Sequence, residues 1–194
     1  MPKKNARNTK GKIVAAAWKL FYEQGYDDTT IEDIVEESET SKGSFYHYFE
    51  GKDDLLGTLS YLFDEKYQEL SEKIDFEGST FEILMYLNRE LFSMIENSIS
   101  VELVARLYST QVITHGERHL LDHDRYYYKL LRQIINAGRE RGELSDSVTV
   151  NDAVKLYALC ERALIYDWCI CNGEYSLHEY SQRILPMMLN NLKK

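Results

Sequence analysis

Apolar side chains recur along most of this chain at intervals of three and four, the period of helices with one buried face. Ile13, Ala16, Ala17, Leu20 and Phe21 form such a stripe over residues 9–24, and Gly25 is placed to end it. Ile31, Ile34, Val35 and Ser38 form a second, shorter stripe. Phe45 and Phe49, four apart, mark the inner face of a third helix. From residue 52 to about 74, Leu55, Leu56, Leu59, Leu62, Phe63, Tyr67 and Leu70 predict one long helix. Further stripes predict helices over about 80–97 and 101–113, another ending at Arg141-Gly142, and two more over about 150–172 and 177–192. Pro186 predicts a kink or split in the last of these. The fold class expected is all-α: an N-terminal three-helix domain over residues 1–51, then a larger helical domain over residues 52–194.

Residues 29–56 organise the rest. Thr29 is expected to cap the second helix, with Glu32 three residues on completing a capping box. Ser41 is placed to cap the third helix. Gly51 suits a positive φ just past its end, and Asp53 and Asp54 suit the first turn of the next helix. Two short helices joined by a tight turn match the helix-turn-helix, whose second helix enters the DNA major groove. The outward residues suit that task. Lys42, Tyr46 and Lys52 are expected to hold phosphates, and Ser44 and His47 to read bases. Thr29, Thr30, Ser41, Gly43 and Tyr48 complete the expected DNA-binding set.

The ordered strings T-T-I-E-D-I, S-K-G-S-F-Y-H-Y-F and G-K-D-D-L-L resemble the N-terminal domain of the tetracycline-repressor family. Family members commonly carry Ala-Gly-Val before the serine, where Ser38, Glu39 and Thr40 stand here, so Glu39 takes the glycine position. The resemblance implies a regulator that binds a double-stranded DNA operator, a ligand cavity among the later helices, and a dimer built by the last two helices.

The net charge of −9 argues at first against a nucleic-acid partner, but its distribution does not. Residues 1–12 carry Lys3, Lys4, Arg7, Lys10 and Lys12 and no acid, leaving 18 basic and 32 acidic side chains in the other 182 residues. A basic tip on an acidic body orients a molecule on a polyanion. Residues 1–8 read either as a solvated tail or as an arm for the minor groove. Three cysteines, Cys160, Cys169 and Cys171, have no zinc spacing and read as reduced packed thiols, with redox sensing at Cys169 and Cys171 as the alternative. His115, His119 and His123 would share a face if helical, but Gly116 interrupts the segment, and no metal or cofactor is expected. No apolar run reaches transmembrane length and no signal peptide is evident, so a cytoplasmic protein is expected.

Residues 150–172 are apolar nearly all round, which calls for burial on both sides, and a second subunit is the natural cover. Fifteen tyrosines are many for this length. Tyrosine walls with a few polar groups suit small-molecule pockets, and Tyr86, Tyr108, Tyr127 and Trp168 are the expected ligand-binding residues. Glu90, Glu102 and Glu161 sit in otherwise apolar helices, as ion pairs or as cation-binding groups. No catalytic triad order and no phosphate-binding Gly-rich loop is present, so an enzyme is not expected. The reading is a homodimeric repressor released from a palindromic operator by a small molecule; the alternative is a helical protein-interaction module of the same fold.

Overall fold

The computed structural model describes residues 3–113 and 118–194, with side chains from Thr9 onward. It divides into two compact units, Met1–Ser60 and Tyr61–Lys194. Among the described residues all regular elements are helical, apart from an isolated antiparallel bridge between Leu144 and Lys193.

In the first unit α1 (Lys3–Glu23) begins some six residues before the apolar stripe predicts. It packs on both α2 (Ile31–Glu37) and α3 (Lys42–Tyr48), burying Ile13, Ala17 and Phe21 against a core that includes Ile34 and Phe45. The cap of α2 falls one residue later than expected. Thr30, not Thr29, is the N-cap, and its partner is Asp33, not Glu32. The Thr30 hydroxyl accepts the Asp33 amide at 3.1 Å, and the Asp33 carboxylate accepts the Thr30 amide at 2.8 Å. Thr29 cannot serve, because it is wholly buried and its hydroxyl donates to the Gly25 carbonyl at 2.7 Å.

The turn between α2 and α3 is held by backbone bonds. Glu39 adopts φ 52°, the left-handed conformation that glycine usually supplies. Its amide reaches Glu36, and the Thr40 amide reaches back to Val35, which closes the helix end. The same pair of bonds ends α8 (Tyr126–Glu140) at Gly142 and α9 (Val150–Ile170) at Asn172. Gly51, by contrast, has φ −174°; it is extended and caps the start of α4 (Lys52–Leu56) instead of ending α3.

The long helix expected from residue 52 to 74 is two helices, α4 and α5 (Leu59–Ser71). Around Gly57 the backbone bonds tighten to the i−3 carbonyl. The Thr58 hydroxyl donates to Leu55 O and the Ser60 hydroxyl to Gly57 O, so side chains compete for carbonyls that a continuous helix would use. Trp18 Nε1 donates to the Thr58 hydroxyl at 2.8 Å and pins the break to α1.

The second unit contains α6 (Thr80–Ser98), α7 (Val101–Ile113), α8, α9 and α10 (Leu177–Met188). Helix α6 packs on α8 and α10, and α9 packs on α7, α8 and α10. Pro186 does not split α10; it lies in the last turn, where only one backbone bond is forfeited. A β-carbon at Gly138 would stand 1.8 Å from the Thr80 hydroxyl, so this glycine is what lets α6 and α8 come together.

Candidate nucleic-acid interface and buried polar site

Helix α3 separates its residues cleanly. Phe45 and Phe49 face the core, with ring centroids 5.7 Å apart. Lys42, Gly43, Tyr46 and His47 face solvent. Ser41 caps the helix, its hydroxyl accepting the Ser44 amide at 3.1 Å, and the two serine hydroxyls lie 3.0 Å apart. Tyr48 is half-buried beside His47, ring centroids 4.7 Å apart. Ser41, Lys42, Gly43, Ser44, Tyr46, His47 and Tyr48 are thus brought onto one short helix and its cap.

Two of the expected contact residues stand elsewhere. Thr29 has no exposed surface to offer DNA. The Lys52 amino group donates to Tyr26 O at 2.6 Å and Thr29 O at 2.7 Å, and lies 4.3 Å from the Tyr26 ring centre. It fastens the turn before α2 to the start of α4, and the Tyr26 hydroxyl bonds Asp53 from the same turn. Thr30 is exposed, but its hydroxyl is committed to Asp33. The side chains of Lys3, Lys4 and Arg7 lie outside the described residues.

A second polar site is buried within the second unit. Glu161 on α9 is 4% exposed. Its carboxylate accepts from Asn88 Nδ2 at 3.0 Å, from the Tyr127 hydroxyl at 2.7 Å and from the Tyr67 hydroxyl at 3.4 Å. Burial pushes the Glu161 carboxyl above the ordinary range, and these donors pull it back. Burial also raises the hydroxyls of Tyr67, Tyr127 and Tyr157, which keeps them protonated as donors. On its far side the Asn88 carbonyl accepts from the Ser181 hydroxyl at 2.7 Å, extending the chain of bonds to α10. Beside it Arg125 grips Asp64 with two bonds of 2.9 and 3.1 Å, both side chains nearly enclosed.

Between these groups lies a cavity of about 40 Å³ lined by Phe63, Tyr108, Leu120, Tyr127, Glu161 and Ile165, among others. That is room for a few waters, well below the size of a drug-like ligand. Of the expected ligand residues, Tyr108 and Tyr127 line it. Tyr86 does not line it and lies under Arg89, 5.8 Å from ring centre to guanidinium. Trp168 does not line it and is buried, its Nε1 donating to Tyr175 O at 3.0 Å. The acids Glu90 and Glu102 are surface partners of Arg89 and Arg106, whereas Glu161 is held by neutral donors; the sequence offered no sign of that difference.

The remaining candidates scatter. His119 lies in a short 3-10 turn near Tyr61, His123 packs on Tyr128, and His115 lies outside the described residues. Among the described residues no group of three His, Cys, Asp or Glu is placed to hold a metal ion. Burial pushes the Cys169 thiol up to about 11, away from the reactive thiolate. No helix among the described residues is long and apolar enough to cross a membrane.

Known proteins agree with this arrangement. The profile of bacterial regulatory proteins of the tetR family matches residues 13–59. The HTH-type transcriptional regulator QacR of Staphylococcus aureus is 30% identical over 142 residues, 70% of this chain and 73% of its own. An uncharacterized HTH-type regulator from Lactococcus lactis is 52% identical over 48 residues, 25% of this chain and 24% of its own. In fold, the chain is similar to Thermus thermophilus FadR, a TetR-family transcriptional repressor solved with lauroyl-CoA, with a TM-score of 0.78, 21% identity and 93% of each chain covered. With the motif, the helical body and a relative matched over most of both chains, this protein belongs to the tetracycline-repressor family and is a DNA-binding transcriptional regulator.

Proposed function

We propose that the protein is a cytoplasmic homodimeric repressor, that it binds a palindromic operator through residues 1–51, and that a small molecule held within residues 52–194 releases it. The observation that carries this reading is the helix-turn-helix with its polar outer face on α3. Lys42 and Tyr46 take phosphates, Ser44 and His47 read bases, and Ser41, Gly43 and Tyr48 let the backbone and its cap approach. Thr29 and Lys52 act from behind as parts of the support.

Dimerisation is supported by apolar surface that one chain leaves uncovered. Leu159, Tyr166 and Ile170 recur along one side of α9, and Ile170 is 65% exposed. Met187 and Met188 are exposed at the end of α10. Leu164 and Trp168 are buried within the subunit and belong to its core, not to an interface. The effector reading is supported by the cavity at Glu161, where an occupant must combine an apolar body with groups that satisfy Glu161 and the tyrosine hydroxyls. Because the cavity is small, such a ligand must part the helices around it to enter, and that requirement is what would couple its binding to the rest of the chain.

The test is DNA selection from a random pool by the wild-type protein, followed by binding of the selected duplex. Tyr46→Phe with Lys42→Ala is expected to lose affinity for it, and Leu159→Glu with Ile170→Glu to sediment as a monomer and bind half-sites weakly. Unchanged affinity in the first pair moves the DNA surface elsewhere on the molecule. A dimeric second pair removes α9 from the interface.

A further inference from the structure

The helix-turn-helix is short of free positive charge. Residues 31–50 contain six acids, Glu32, Asp33, Glu36, Glu37, Glu39 and Glu50, against one lysine, Lys42. That lysine is not idle. From the first turn of α3 its amino group bonds the carboxylate of Glu32, which lies in the first turn of α2. Both side chains are open to water, 58% and 62% exposed, so the pair is exchangeable, unlike the enclosed Asp64–Arg125 pair. Lys42 is also raised and Glu32 lowered in pKa, each chiefly by the other, as expected of a formed pair.

We infer that Glu32 restrains the affinity of this DNA-binding surface: it occupies Lys42 in the free protein, so a complex that seats Lys42 on a phosphate must first give up this pair. The inference rests on the proposed role of Lys42 as a phosphate contact. Random duplex is held by phosphate contacts alone, and a complex need not bring α3 fully into the groove. In such complexes Lys42 keeps its carboxylate partner and adds nothing. On a cognate site the base contacts impose the position of α3, and a phosphate replaces Glu32.

Counterion bookkeeping gives a signature. A free lysine that takes a phosphate releases about 0.9 of a counterion. A lysine taken from Glu32 leaves a carboxylate that must gather cations from solution, which cancels most of that release. Removing the Glu32 charge therefore steepens the salt dependence.

The experiment uses the full chain, a random-sequence duplex and a duplex selected by the wild-type protein, each titrated across a salt series. Glu32→Gln keeps side-chain length and leaves the Thr30–Asp33 capping box intact, and circular dichroism checks its folding. Glu32→Gln is expected to bind the selected duplex about two- to fivefold more tightly, the range set by exposed ion pairs. Its log–log salt slope should steepen by about 0.9. The gain on random duplex should be smaller, and in a Lys42→Ala background the gain should vanish. Unchanged or weaker binding to the selected duplex overturns the inference, as does an equal gain with and without Lys42, which would make Glu32 a mere bulk charge. If Lys42→Ala alone leaves both affinities unchanged, the placement of the DNA surface fails, whatever Glu32 does.

Discussion

The two units hold their polar groups by different means. In the first, polar side chains mostly serve nearby backbone: Thr30 with Asp33, Ser41 with Ser44, Thr58 with Leu55. In the second, the polar partners come from distant helices. Asp64 meets Arg125 across 61 residues, Asn88 meets Glu161 across 73, and Tyr67 meets Glu161 across 94. A unit stabilised by local caps tolerates surface variation, because each cap is worth only about 0.5–2 kcal/mol. A unit built round buried charge stands or falls with single partners.

The chain carries two tryptophans, Trp18 in the first unit and Trp168 in the second, so single-tryptophan variants report each unit separately. The largest contrast comes from Arg125→Ala, which strands the Asp64 carboxylate in a nearly enclosed site. Urea unfolding followed at Trp168 should show a loss of about 3–5 kcal/mol. An equal shift of the Trp18 transition would show that the units unfold as one and erase the comparison.

Next is Lys52→Met, which removes charged bonds to two carbonyls and should cost the first unit about 1.5–3 kcal/mol, read at Trp18. DNA affinity should fall while the salt slope stays the same; a slope reduced by about one unit would return Lys52 to the set of phosphate contacts. Smaller still is Glu39→Gly. The left-handed conformation costs a non-glycine residue about 1–2 kcal/mol, and glycine gives back about 0.5–1 kcal/mol in chain entropy, so a net gain of roughly 0.5–1 kcal/mol is expected in thermal melts. The subtlest effect is one of sign. A carboxyl whose folded pKa is raised adds stability below its unfolded value and loses it as pH rises through the folded value. Glu161 is such a group, so melts of wild type and Glu161→Gln should shift in favour of the variant as pH rises above about 4.5. A difference independent of pH would mean that Glu161 does not change protonation on folding.

The helices were largely legible because burial repeats every three to four residues, and the stripes at Ile13–Phe21 and in α6 through α10 follow that repeat. The misread cap shows where local rules stop. Thr29 with Glu32 and Thr30 with Asp33 satisfy the same spacing, and only the burial of Thr29 under the Gly25 carbonyl chooses between them. The break at Gly57 was hidden because Leu55, Leu56 and Leu59 keep the apolar period across it, while the cause lies in hydroxyls and in Trp18, 40 residues away. On α3 the solvent-facing residues could be named from spacing alone. Around the cavity they could not: of four aromatic candidates Tyr108 and Tyr127 line it, since which face of a buried helix meets a void depends on every helix around it.

Asn88 carries a consequence for how this protein can vary. Its amide nitrogen donates to Glu161 and its carbonyl accepts from Ser181, so the side chain has a fixed polarity in a wholly buried place. Aspartate matches it in shape yet sets a second anion against the first. Leucine abandons donor and acceptor together, and glutamine is a methylene too long. In a saturation library selected for folded protein, position 88 should therefore be among the least forgiving, although nothing outside the molecule ever touches it.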